Sequence, residues 1–501
     1  MLWKLLRVAF PVLILFGTAL RFSSAGDAPE SVTVNWDKTV IVSKTSATFQ
    51  VVVNPLLRRE AKIHDRVFEG MRDLGCDYVR YVPWRPYPKL VVAELDPPHD
   101  GKTSWDFSLI DPMMEDFMKA TAGHSVIINF STIPQWMFKT EKRVSYPANP
   151  DEVFWDYQQG TEFRDPSLKE VTDYYARLLS WYTKGGFTDE YGKRHESGHH
   201  YQIDYWEVMN EIDLEHNMTP QLYARLYDST VTALRKVQPQ LKYVALALAY
   251  PAKHPEQFEY FLNPKNHQPG IPLDMISYHL YAEGTSSDET YAINQIVFFD
   301  QADMLLDAVR YIETIRKRLS PRTRTTVNET GTADPSDDGP ENAYQGPPAA
   351  YWTMSAAWFA YLYAGLARQG IDIVGESQMV AYPTQFPSLT MVNWNAGQPN
   401  VRYWVLKLLH DNFGPGDKLV DTISPSPYVF AQGFAARDGK RKLLLANKRD
   451  RSFDFTIPGG DGAEVVYVDQ STGSQPPATT HLNGDRMTLR GLAVAVVTLA
   501  K

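Results

Sequence analysis

The chain has 501 residues, of which 44% are hydrophobic, enough for one large domain and a smaller one around a sizeable core. The formal net charge is -9 and no Lys/Arg run occurs, which argues against a nucleic-acid partner. A single cysteine, Cys76, excludes an intrachain disulfide, and with no activating histidine pattern around it the residue reads as a buried, inert thiol.

At the N-terminus, Lys4 and Arg7 precede the apolar stretch VAFPVLILFGTAL, and Ser23-Ser24-Ala25 offers a small-residue cleavage site. Residues 1–25 are therefore expected to be a signal peptide and the protein to be secreted or periplasmic. The stretch is short for a bilayer span and holds Pro11, but Arg21 leaves an uncleaved anchor as the alternative. Residues 26–46 contain SVTVNWDKTVIV, a β-type run expected to join a β domain formed farther along the chain.

From residue 47 onward, short apolar β-type runs alternate with amphipathic helices. The strand candidates are 47–53, 77–82, 124–130, 201–209, 243–249, 273–281, 324–329 and 370–377. Between them, Asp165-Pro166 and Thr219-Pro220 read as N-caps followed by proline. The first of these helices places Val171, Tyr174, Leu178 and Tyr182 on one face. The second does so with Tyr223, Tyr227, Val231 and Leu234. A third, largely apolar helix from Ala349 is expected to stop at Gly370. Eight such units predict an α/β fold, a (β/α)8 barrel over 47–413. A doubly wound open sheet is the rival, but no G-x-G-x-x-G follows the first strand. After residue 414, short strands separated by turn residues predict an antiparallel β-sandwich domain over 414–501, completed by the N-terminal strands.

Active groups of a barrel sit at the C-terminal ends of its strands. Asn210-Glu211 ends the fourth candidate, His279 and Tyr281 end the sixth, and Glu329 ends the seventh. Two carboxylates facing each other across the mouth are what glycosidic-bond hydrolysis needs, one as acid and one as nucleophile or base. From position alone, two structural ion pairs explain the same glutamates equally well. His279 and Tyr281, two apart on a strand, share a face and are placed to orient Glu329.

These residues together resemble the clan A glycoside hydrolases, most closely family 39, which holds β-xylosidases and α-L-iduronidases. The carriers are WEVMNEID, DMISYHLY and VNETGT, in barrel order. The resemblance implies a retaining glycoside hydrolase, β-xylosidase-like, acting on plant or microbial glycans or oligosaccharides, with no cofactor and no metal. Glu211 would be the acid/base and Glu329 the nucleophile. Asn210 would bond the sugar 2-hydroxyl, His279 and Tyr281 would support Glu329, and Arg80 would hold its charge. Trp84, Trp136, Gln378 and Trp394 lie in loops where the sugar is expected, Trp136 and Gln378 foremost. Ile212 replaces the proline that often follows the Asn-Glu pair, and VPWRPYP stands where a histidine is common. A glycan-binding protein without catalysis is the alternative, though retention of both glutamates argues against it.

Two further motifs stand apart. His195-Glu196-x-x-His199 matches a zinc-protease pattern, but its centre is Ser197-Gly198, poor helix material, so a polar surface loop is expected. Asn217-Met218-Thr219 is a possible N-glycosylation acceptor.

Overall fold

Eight parallel strands close into a barrel in the order in which the chain supplies them. They are Ser46–Val52, Val79–Val82, Val126–Ile128, Tyr205–Glu207, Lys242–Leu248, Met275–Glu283, Arg324–Ala333 and Ile373–Glu376. Each falls on one of the eight predicted runs. This is a computed structural model, describing residues 30–500 apart from 141, 143, 158, 286–291, 339–345 and 383–384. The expected signal peptide, residues 1–25, lies outside the described residues.

Two strands differ from expectation in ways that matter for the site. The fourth is only Tyr205–Glu207, because the backbone turns away after Val208, with Met209 at φ 65° and Glu211 at φ 41°. The seventh runs four residues past Glu329, to Ala333, and pairs with the sixth, with Glu329 opposite His279 and Gly331 opposite Tyr281. Its register shifts between Val327 and Glu329, a bulge that breaks strict side-chain alternation. Consecutive Asn328 and Glu329 can therefore both reach partners inside the barrel.

Helix Pro220–Val237 begins as predicted, with the Thr219 side chain accepting from the Leu222 amide. The helix after Asp165 starts later than expected, at Lys169. Asp165 instead closes a turn, accepting from the Ser167 and Glu170 amides. The apolar helix spans Ala349–Gln369 and stops at Gly370, whose φ of 81° suits glycine. All eight apolar-face residues named on the two amphipathic helices are buried. Cys76 is buried too, and burial pushes its thiol far up, out of reach of thiolate chemistry at neutral pH.

The terminal segments form a seven-stranded antiparallel sheet. Its order is Thr33–Val42, Lys418–Ile423, Val429–Ala435, Arg441–Asn447, Val494–Thr498, Glu464–Val468 and Ala478–His481. A two-stranded pair, Phe453–Thr456 with Arg486–Leu489, completes it. Alternation assigns the two faces. Leu443, Leu445, Ala495 and Val497 pack with Phe455, Met487 and Leu489 in a core of their own. Leu444, Ala446, Val494 and Val496 join the barrel's core instead. At ~1.5–3 kcal/mol per fully buried aliphatic side chain, this second face fastens the sheet to the barrel.

Candidate active site

The C-terminal ends of the barrel strands open into a cleft of about 450 Å³. Asn210, Glu211, His279, Tyr281, Glu329 and Gln378 all line it. Arg80 lies beneath, buried, at the centre of a hydrogen-bonded network. Its Nη1 donates to Glu329 Oε1 and, at 2.7 Å, to Gln50 Oε1. Its Nε donates to Glu207 Oε2 at 2.5 Å, and its Nη2 to Asn210 Oδ1 at 2.6 Å.

The second oxygen of Glu329 accepts from the Tyr281 hydroxyl at 2.7 Å. That hydroxyl also contacts Ser377 Oγ, at 2.8 Å, which Gln50 Nε2 meets at 2.5 Å. Both oxygens of Glu329 are thus held by donors. Burial works to raise its carboxyl, but His279, Arg80 and Tyr281 outweigh burial and hold it below the usual carboxylate range.

Glu211 sits differently. Its oxygen Oε1 lies 2.8 Å from His279 Nδ1, which is 3.4 Å from Glu329 Oε2. Burial works to lower the imidazole, yet the Glu329 charge and the Glu211 hydrogen bond raise it. An oxygen of each carboxylate and this nitrogen all lie within 4.8 Å of one another. The trio is compact enough for a cation, but Arg80 and Tyr281 already occupy Glu329, so a protonic role fits better. The left-handed φ of 41° at Glu211 is strained for a residue with a β-carbon. The bond from its amide to the Ala247 carbonyl, 2.8 Å, helps hold it.

A residue not singled out in the sequence underlies this arrangement. Glu207 is fully buried inside the barrel and takes four donors. Besides Arg80 these are Asn129 Nδ2 at 2.7 Å, Asn328 Nδ2 at 2.7 Å and Ser277 Oγ at 2.5 Å. The available signal was a lone acidic or amide residue inside an apolar strand, Glu207 in YWEV and Gln50 in TFQV. Such a residue must find partners across the barrel axis.

Two tryptophans are not where the loop reading put them. Trp136 does not line the cleft. Its indole N–H donates to the Glu94 carbonyl at 3.0 Å and its ring lies under the Arg164 guanidinium. Trp394 lines a separate cavity with Trp352 and Asn393. Trp84 does line the cleft, within reach of Trp155 and Phe386, their ring centroids 5.6 and 6.2 Å away.

The histidines of the zinc-like motif do not converge either. They lie on and after the short strand Arg194–Glu196, not on a helix. His195 Nε2 meets Asp189 at 2.8 Å and His199 Nε2 meets Asp111 at 3.2 Å.

Comparison with known proteins identifies the family. The family model described as Glycosyl hydrolases family 39 matches residues 35–345. No curated protein matches the chain. Among solved structures, the GH51 arabinofuranosidase from Xanthomonas axonopodis pv. citri is similar at 13% identity and TM-score 0.64, over 94% of this chain and 99% of that one. A glucosidase from Croceicoccus marinus shares 14% identity at TM-score 0.59, over 95% and 99%. A GH30 endoxylanase from Clostridium papyrosolvens C71 shares 15% at TM-score 0.55, over 94% and 100%. At such identities the structures speak for the fold alone. The family match covers more than half of the chain, which therefore belongs to glycosyl hydrolases family 39 and is a glycoside hydrolase.

Proposed function

We propose that this enzyme cleaves O-glycosidic bonds with retention of anomeric configuration, Glu329 serving as nucleophile and Glu211 as acid/base. The observation that carries this reading is that an oxygen of Glu211 lies within 4.8 Å of an oxygen of Glu329. Retaining pairs stand about 5–5.5 Å apart, whereas inverting pairs leave about 6.5–9.5 Å for a water. The unequal surroundings support the division of labour. Glu329, held ionised by Arg80 and Tyr281, attacks the anomeric carbon. Glu211 gives its proton to the departing glycosidic oxygen, and a glycosyl ester forms on Glu329. Glu211 then takes a proton from water, which attacks the anomeric carbon and frees Glu329.

The substrate reading is β-xylosidase-like. It is supported by family membership. Asn210, held by Arg80, keeps one amide hydrogen for a sugar hydroxyl, and Gln378 Oε1, buried without a partner, is a further acceptor at the cleft. Export is proposed from residues 1–25. Sequencing the N-terminus of protein recovered outside the cytoplasm should begin at Gly26. Among the described residues no helix is long and apolar enough to cross a membrane.

The test is a panel of nitrophenyl pyranosides and furanosides with the parent and Glu329→Ala. The variant should fold and lose turnover, and NMR of the first product should show the anomer of the substrate. Inverted product, or full activity in Glu329→Ala, would sink the mechanism. Absence of turnover by the parent would favour a glycan-binding protein.

A further inference from the structure

Glu215 is a carboxyl beside Asn210 and Trp84 of the cleft that the mechanism above does not use. The turn after Glu211, closed by the Leu214 and Glu215 amides on the Glu211 carbonyl at 2.8 and 2.7 Å, folds Glu215 back toward the site. Its Oε1 accepts from the Trp84 indole N–H at 2.8 Å and from Asn210 Nδ2 at 2.7 Å. Its Oε2 is buried with no partner. Trp84 and Asn210 both line the cleft. They belong to different barrel units, Trp84 following the second strand and Asn210 the fourth. One oxygen therefore joins two walls of the cleft. Trp84 stands in the loop where the resemblance leads to a histidine.

Resting on the retaining reading above, we propose that Glu215 is a positioning residue that sets substrate grip by clamping the Trp84 indole and the Asn210 amide in one arrangement. Without the clamp, the indole can turn about its side-chain bonds. The Asn210 amide keeps only its bond from Arg80, at Oδ1, and loses the contact that fixes its donor end. Both changes act before bond cleavage, on the ground-state complex. Burial first and the neighbouring Glu211 second push the Glu215 carboxyl up to about 7, with Arg85 opposing. That agrees with a carboxyl enclosed by the clamp and not solvated. Neither protonation state removes Oε1 as an acceptor, so the clamp is geometric.

The experiment uses the full chain and the best nitrophenyl glycoside of the panel, with Glu215→Leu, Glu215→Gln, Trp84→Phe and the double variant Glu215→Leu/Trp84→Phe. Glu215→Leu should raise KM by about tenfold, more than it lowers kcat. Glu215→Gln keeps a carbonyl oxygen for both donors and should stay within about threefold of the parent. Trp84→Phe removes the indole N–H, so adding Glu215→Leu to it should cost less than in the parent. A residue that only stabilises the fold would lower the melting temperature and leave KM alone. Should Glu215→Leu fail to fold, Glu215→Asp, one methylene shorter, withdraws the carboxyl from both donors. A raised KM there upholds the clamp and a parental KM overturns it. A folded Glu215→Leu variant with parental KM, or effects of Glu215→Leu and Trp84→Phe that simply multiply, overturn this inference while the catalytic reading stands. A parent inactive on every glycoside overturns both.

Discussion

Arg80 binds Glu329 and Glu207 through different nitrogens of one guanidinium, Nη1 to the first and Nε to the second. The proposed nucleophile is thereby tied to a fully buried glutamate on the opposite side of the barrel axis. Arg80→Met would leave two buried carboxylates without their shared cation. Breaking one partner of a buried ion pair costs about 3–5 kcal/mol, so a marked drop in melting temperature is expected. Arg80→Lys should not restore it, because an ammonium cannot present donors to Glu207, Glu329, Gln50 and Asn210 in a planar fork. A parental melting curve for Arg80→Met would show that the network contributes little.

Tyr281 supplies the donor to Glu329 Oε2. Glu329 must be ionised to act as nucleophile, so activity falls as pH drops through its pKa. Burial pushes that pKa up, and His279, Arg80 and Tyr281 bring it below the ordinary value. Removing one of the lowering partners in Tyr281→Phe should move the acid limb of the kcat/KM profile to higher pH. At neutral pH, kcat should fall roughly 10- to 100-fold through the lost hydrogen bond. Superimposable acid limbs for parent and variant would show that Tyr281 does not hold the charge of Glu329.

The barrel was legible because each strand is an apolar run flanked by turn residues and the helices between carry caps. Period alone could not show where the fourth strand stops, since its end is set by left-handed backbone at Met209 and Glu211. The candidates at strand ends could be picked out by position: Asn210, His279, Tyr281 and Glu329 line one cleft. Loop residues were less legible: Trp84 and Gln378 line the cleft, but Trp136 and Trp394 do not. Trp136 and Trp394 lie in loops where the sugar is expected, but a tryptophan in a loop satisfies its ring and its N–H wherever the loop folds. For Trp136 that is against Arg164 and the Glu94 carbonyl. The role of Glu207 is not legible in the sequence because it depends on donors from three other strands or their ends, Asn129, Ser277 and Asn328, and on Arg80, none near it in sequence.

The pattern His195-Glu196-x-x-His199 leads to a prediction opposite to its usual meaning. Each imidazole is paired with a different aspartate, Asp189 for His195 and Asp111 for His199. Both pairs are largely buried, so they contribute to stability and not to metal binding. Treatment with a strong chelator followed by dialysis should leave glycoside turnover unchanged. His199→Ala should lower stability by about 1–2 kcal/mol with kcat retained. Loss of turnover on chelation, restored by zinc, would overturn this assignment.

Glu94 sets a pH dependence of stability remote from the cleft. Its Oε1 is buried with no partner. Burial, with help from Glu190 and against Arg177, pushes the carboxyl up to about 8. The folded state therefore binds this proton more tightly than the unfolded chain does. The resulting stabilisation is fully present below the ordinary carboxylate pKa and is lost as pH rises through about 8. Glu215 and Glu376, each pushed up to about 7, lose theirs as pH rises toward 7, so the parent should melt at falling temperatures from about pH 5 to pH 8. Glu94→Gln removes one of these ionisations without changing the size of the side chain. Above pH 8 the variant should be more stable than the parent by roughly 1–3 kcal/mol, and near pH 5 the two should converge or the parent should lead. Thermal melts at several pH values distinguish the outcomes. Parallel curves for parent and variant would mean that Glu94 does not titrate on its own in this range.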